Sequence, residues 1–382
     1  MSRHFSILLF YLLPIILFVS CTKETENEVS TEVSRTVMVY MSANNNLASE
    51  AIDNLNQMES GFSGANGKLL VYAKIFGQRP RIYEIIHDTS DKIMSKVLKE
   101  YPEHNASDPS TMKMVFEDME RLGKARSYAA VLWSHATNWY PGNKKMAKVK
   151  SFGEDNGDTM DVKDLKKALP NNLSYLIFDA CSMGSVEVLY ELKDLVPYVL
   201  ASPTEVISVG MPYDQIISHL FDENVERGLT NAGQVYFDFY NSKQGKMRSA
   251  SFSLINMKEM QNLAVVMGSV INTQNGPRQV IRANVQRLDL DPFATQTVPA
   301  FDLMDFCEKN FSKADVEKVK KQLKETVLFK VSTTHFLGTP IEVFSGLSCY
   351  IPIESELDLN KYYQSLGWNQ ASSYSKLFHW MH

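Results

Sequence analysis

Apolar residues fall in two spacings along this chain. Residues 36–41, 68–76, 127–133, 173–179 and 198–202 form nearly continuous apolar runs of strand length, the pattern of strands covered on both faces. Between them apolar positions recur at helical spacing. Leu47, Ala51, Leu55 and Met58 mark a helix within 44–59, with the asparagines before it as expected caps. Further helices are expected over 110–122, over 186–195, and from Asp161 as a cap to Leu169. This succession predicts an α/β fold, a sandwich with a mainly parallel central sheet and helices on both faces. From about residue 248 the pattern changes. Strands are expected at 250–255, 326–332 and 346–351, with helices at 257–272 and 314–326, which describes a smaller C-terminal α+β region continuing from the core.

The first twenty residues read differently. Arg3 and His4 precede an apolar run from Phe5 to Val19, the form of a secretory leader, and the run is short for a membrane-spanning anchor. Phe18-Val19-Ser20-Cys21 resembles the bacterial lipobox, which implies lipidation at Cys21, although Phe18 stands where Leu is usual. A simple cleaved secretory signal is the alternative. The polar stretch after Cys21 has no apolar face and reads as a solvated tether. The expected division is therefore a signal peptide at 1–20, a tether at 21–34, a first globular region at 35–247 and the α+β region at 248–382. The expected location is exported, held at a membrane through an N-terminal lipid, on the periplasmic or the cell-surface face.

Composition narrows the function. The chain is 44% apolar and 22% charged, the balance of a soluble globular protein. Its net charge of −5 gives no basic footprint for a nucleic acid. Once Cys21 is assigned to lipid, Cys181, Cys307 and Cys349 remain, and an odd number in an exported protein leaves a free thiol.

One of these thiols sits where open α/β sheets build their sites. Cys181 follows the apolar run 173–179, and His135 follows the run 127–133 in the same way. Neighbouring parallel strands would deliver an imidazole and a thiol to one edge, the arrangement of a cysteine nucleophile with a histidine partner. A nearby imidazolium favours the thiolate and supplies a proton to a leaving amine.

The residues also resemble a known family. Thr36 through Leu47 (TVMVYMSANNNL), Leu132-Trp133-Ser134-His135, Ser151-Phe152-Gly153 and Asp179-Ala180-Cys181-Ser182-Met183-Gly184 all look like the clostripain family of cysteine peptidases, in order and in spacing. Phe252-Ser253-Leu254 and Ser345-Gly346-Leu347-Ser348 look like its later landmarks, so the likeness runs from Arg35 to the end. The resemblance implies a caspase-like α/β sandwich and a peptide or protein substrate. It implies a catalytic dyad of His135 and Cys181, an oxyanion hole from the N–H groups of Ala136 and Cys181, and Asp179 near the floor of a specificity pocket. It also implies cleavage after Arg or Lys and, for several members, maturation by cutting a loop between the His and Cys strands.

Three departures qualify that expectation. Ala136 stands where the family usually has Gly after the histidine. Val209 stands at the place of an acidic residue, so selection of a basic side chain falls to Asp179 and Glu205. The loop 142–150 is basic, open to cutting by the enzyme itself or by a trypsin-like partner, and equally readable as a solvated charge run. Trp139 and Tyr140, just beyond His135, are candidates to line the cleft or to pack beneath a loop. No cofactor is expected. Glu154, Asp155, Asp158 and Asp161 are the only candidate group for calcium, and they lack the glycine turn and terminal Glu of a calcium-binding hand. The rival functional reading is a caspase-like lipoprotein impaired in catalysis, binding peptides or a surface partner. Oligomeric state is not legible in the pattern.

Overall fold

We describe a computed structural model covering residues 32–64, 67–139, 151–274, 280–292 and 299–381. Cys21 with the leader and most of the tether, Tyr140, and the basic loop 142–150 lie outside the described residues. Glu32–His382 forms one compact unit.

The strands are β1 (Arg35–Ala43), β2 (Gly67–Ile75), β3 (Arg81–Glu84), β4 (Lys96–Glu100), β5 (Tyr128–Trp133), β6 (Phe152–Asp155), β7 (Asp158–Met160), β8 (Leu173–Asp179), β9 (Tyr198–Ala201), β10 (Ser251–Asn256), β11 (Phe301–Asp302) and β12 (Val327–Ser332). The helices that matter below are α1 (Ala48–Gly61), α2 (Pro109–Leu122), α3 (Val162–Ala168), α4 (Val186–Leu192), α5 (Tyr213–Leu220), α6 (Val225–Asn241) and α7 (Met260–Asn272). Nine strands form the main sheet in the order β12-β10-β9-β8-β5-β1-β2-β3-β4. The strands from β9 to β2 pair in parallel, while β3 and β4 on one edge and β10 and β12 on the other pair antiparallel.

Side chains along the central strands alternate between two cores, as the pleat requires. Met38, Tyr40, Leu70, Tyr72, Leu132, Leu176 and Phe178 face one core, closed by α2, α3, α4 and α7. Val37, Val39, Met41, Leu69, Val71, Val131, Tyr175 and Ile177 face the other, closed by α1, α5 and α6. Both sets are apolar, which is why the sequence shows unbroken runs there rather than alternation.

The region after residue 248 contributes β10 and β12 to this same sheet. The strand expected over 346–351 is far shorter. Only Ser348–Cys349 pairs, antiparallel to β11 and apart from the main sheet. The β3–β4 hairpin, α5 and α6 were not expected from the sequence pattern. Arg81, Glu84, Lys96, Lys99 and Glu100 place charge on the edge strands, which discourages further pairing and hides them from an apolar-run criterion.

Candidate active site

The parallel pairing of β5 and β8 ends at the register pair Trp133 with Asp179. His135 and Cys181 each lie two residues beyond it, on strands that neighbour one another at about 4.8 Å. Both line a cleft of about 320 Å³, together with Asp179, Glu205, Asp291, Val206, Ile207, Phe336 and Leu337.

The two strand ends are held in different ways. At the end of β5, the Ser134 hydroxyl donates to the Ser42 carbonyl at 2.7 Å and accepts from the Glu154 amide at 3.0 Å. The His135 carbonyl accepts from Gly153 N–H at 3.1 Å, and Ala136 forms a bridge to Phe152. The backbone that carries His135 is thus fixed between β1 and β6, and the imidazole Nε2 lies 2.7 Å from Asn46 Oδ1. After β8 the chain reverses through Ser182, which holds a left-handed backbone at φ 59°. Ser182 N–H donates to the Thr204 carbonyl at 2.7 Å and Gly184 N–H to the Ser202 carbonyl at 2.8 Å. A β-carbon on Gly184 would stand 2.7 Å from the Pro203 nitrogen, so the close approach of these two segments needs glycine.

Cys181 keeps part of its surface open to the cleft. Its sulfur lies 3.3 Å from the Val206 nitrogen, which donates to it, and 3.7 Å from the Val206 carbonyl, which accepts from it. Burial pushes the thiol up to about 12, the Val206 N–H opposing this in part and Glu205 and Asp179 reinforcing it. Burial also holds the His135 imidazole below its ordinary value, against the pull of Glu154 and Glu50. Both effects disfavour charge. Desolvation penalises the thiolate and the imidazolium alike. No hydrogen bond joins the two side chains among the described residues. Cys307 and Cys349 are also free but fully buried away from the cleft, so only Cys181 is an accessible thiol among them.

Asp179, at the tip of β8, is buried and lines the cleft. Its Oδ2 accepts from Met211 N–H at 3.0 Å and from the Tyr213 hydroxyl at 2.9 Å, while its buried Oδ1 has no partner. Burial raises this carboxyl to about 6, opposed by Met211 and Tyr213. Glu205 also lines the cleft, but both of its oxygens accept from Leu290 N–H at 3.0 Å. Burial raises it to about 7, the Leu290 N–H opposing.

Two expected site residues are elsewhere. Trp139 is fully buried among Tyr350, Tyr362 and Tyr363, at centroid distances of 5.2, 6.1 and 5.4 Å, and does not line the cleft. Those tyrosines come from the far end of the chain, which local sequence does not reveal. Val209 is also absent from the cleft lining, and its carbonyl accepts from Asn54 at 3.1 Å. The neighbouring Gly210, at φ 73°, approaches Asp179 instead. Asp291, Phe336 and Leu337 line the cleft without having been expected, since each comes from a segment remote in sequence, Phe336 from the short strand His335–Phe336.

Three of the residues considered for calcium have protein partners. Asp155 accepts from Asn44 and from Ala106 N–H, and Asp161 caps α3 and accepts from Tyr362. Asp158 accepts from Asn105, and among the described residues no group of three or more His, Cys, Asp or Glu converges on a metal position.

Comparison with known proteins decides the family. The clostripain family model matches residues 39–380. The chain belongs to the clostripain family. This clostripain-family chain is 21% identical to clostripain of Hathewaya histolytica, over 90% of its own length and 79% of the relative's. It is similar in structure to a secreted C11 cysteine protease of Bacteroides thetaiotaomicron solved with an irreversible peptide inhibitor, at 27% identity and a TM-score of 0.76, covering 90% of this chain and 99% of the other. An inactive zymogen C11 protease of Parabacteroides distasonis shares the fold at 24% identity and a TM-score of 0.78, with 90% and 99% covered. The family member described here is a cysteine peptidase of mixed α/β fold with a large, mostly parallel sheet at its centre. Among the described residues, no helix is long and apolar enough to cross a membrane.

Proposed function

We propose that this peptidase hydrolyses peptide bonds through Cys181, with His135 exchanging protons and Asp179 selecting an Arg or Lys side chain. The observation that carries the proposal is a single cleft lined by all three, together with a buried Asp179 oxygen that has no partner. A buried carboxylate with a lone pair to spare is stabilised by an incoming cation, which supplies both charge and hydrogen bonds.

In this scheme the thiol proton passes to neutral His135 as Sγ bonds to the scissile carbonyl carbon. The N–H groups of Ala136 and Cys181 would hold the oxyanion, a contribution of about 10²–10³ in rate per donor. The imidazolium returns its proton to the leaving amine as the C–N bond breaks, and water then hydrolyses the thioester and restores the thiol. In the resting cleft the Val206 N–H and carbonyl both stand against this sulfur. Cys181→Ala should abolish cleavage of a mixed peptide library while leaving the thermal unfolding midpoint within a few degrees. Turnover by that variant equal to the parent protein would refute the assignment.

A second reading rests on that same Val206 contact. A thiol held by main chain and raised to about 12 suits a latent or catalytically impaired protein that binds peptides. Incubation with a peptidyl acyloxymethyl ketone separates the two, since modification of Cys181 that depends on His135 marks an enzyme. We also propose that Cys21 carries a lipid anchoring the chain at a membrane. Intact mass of the membrane-extracted protein should show a diacylglyceryl adduct that Cys21→Ala lacks, and its absence from the parent protein would refute the anchor.

A further inference from the structure

Three consecutive asparagines, Asn44, Asn45 and Asn46, join β1 to α1, and none caps the helix. The cap position is Leu47, with no side-chain hydrogen bond to the helix. The sequence pattern had given these asparagines to capping, and the structure spends them on the strand end that carries His135. Asn44 Nδ2 donates to Asp155 Oδ1 at 2.5 Å, and its carbonyl accepts from Asn156 N–H at 3.0 Å. Asn45 Nδ2 donates to the Glu154 carbonyl at 2.8 Å, and its Oδ1 accepts from Leu47 N–H at 2.9 Å. These bonds fasten the turn to β6, whose Gly153 in turn holds the His135 carbonyl. Asn46 itself is exposed, and its Oδ1 reaches His135 Nε2 at 2.7 Å.

Resting on the His135 assignment above, we propose that Asn46 is a positioning residue that fixes the orientation and tautomer of the His135 ring. An amide oxygen only accepts, so Nε2 must carry the hydrogen. In the neutral ring the lone pair is then at Nδ1, the nitrogen left for proton exchange with the thiol. When the ring is protonated the same bond persists, so Asn46 serves both halves of the cycle. An uncharged partner suits a ring that must be neutral at rest, whereas a carboxylate in the same place would favour the imidazolium. The charged groups whose fields reach the ring are Glu154 on β6 and Glu50 on α1, and neither is its hydrogen-bond partner.

The test compares Asn46→Ala and Asn46→Asp with Cys181→Ala, using a fluorogenic peptide chosen from the cleaved library. Asn46→Ala should lower kcat about ten- to a hundredfold, below the ~10²–10⁴ that general acid–base catalysis supplies in full. KM and the unfolding midpoint should scarcely move, because the lost bond is a surface one. Asn46→Asp should recover most of the rate at high pH, with the acid limb of the pH–rate profile displaced upward by about one unit. Parental kcat and an undisplaced limb in both variants, with Cys181→Ala inactive, would overturn the positioning role and leave the peptidase reading intact. Activity in Cys181→Ala would instead overturn that reading. Should Asn46→Ala fail to fold, Asn46→Asp decides alone: a displaced limb supports the role and an undisplaced one overturns it.

Discussion

Asp179 and Glu205 are both buried carboxylates on the wall of one cleft, and burial raises both. Their hydrogen bonds separate them. Glu205 has both oxygens on the Leu290 amide, which ties a remote loop to the cleft wall. Asp179 has both its described bonds on Oδ2, which leaves Oδ1 buried and unanswered. Burial by itself marks neither as functional. An unmet lone pair on a residue that lines the cleft is what sets Asp179 apart.

The strongest challenge to this contrast is Asp179→Asn, which removes the charge and keeps the shape. It should reduce kcat/KM for Lys and Arg peptides by about a hundredfold or more, the loss expected for a charge-assisted bond of about 3 kcal/mol. In the parent protein the same dependence should show as an acid limb. Below about 6 the carboxyl is neutral and cannot pair a cation, so kcat/KM for basic peptides should fall more steeply there than that for neutral peptides, which report His135 alone. An Asp179→Asn protein with unchanged preference would end the contrast.

Glu205→Gln should act on stability and only a few-fold on turnover. The folded value near 7 lies above the ordinary 4.5. Its favourable contribution is therefore complete below about 4.5 and is lost as pH rises through 7. The glutamine variant should gain in unfolding midpoint relative to the parent protein at pH 8 and lose that gain at pH 4, measured by thermal melts across the range. A gain that grew toward low pH would contradict the assignment. The smallest effect belongs to Val209→Asp. Since Val209 does not line the cleft, restoring the family's acid there should change the Lys/Arg preference by less than about threefold, and a larger gain would show that this segment rearranges when substrate binds.

These outcomes bear on what the sequence could show. β1, β5 and β8 were legible because both of their faces are buried, and the placing of His135 and Cys181 at one cleft was legible because each follows such a run by two residues. Trp139 was not, because its neighbours Tyr350, Tyr362 and Tyr363 are contributed by the C-terminal region. Asp291 reaches the cleft by the same kind of long-range closure. Val209 was placed by counting along an irregular segment, where a turn at Gly210 decides which residue faces inward. Asn46 carried a signal that was read as capping, since the residue types that cap helices are also those that orient imidazoles.

Gly210 has a consequence of its own. A β-carbon there would stand 2.8 Å from Asp179 Oδ2 and 3.0 Å from Asn54 Oδ1. A single added carbon, strained also by the left-handed backbone at φ 73°, would have to push aside the carboxylate at the tip of β8, so the absence of a methyl group keeps that carboxylate where the strand delivers it.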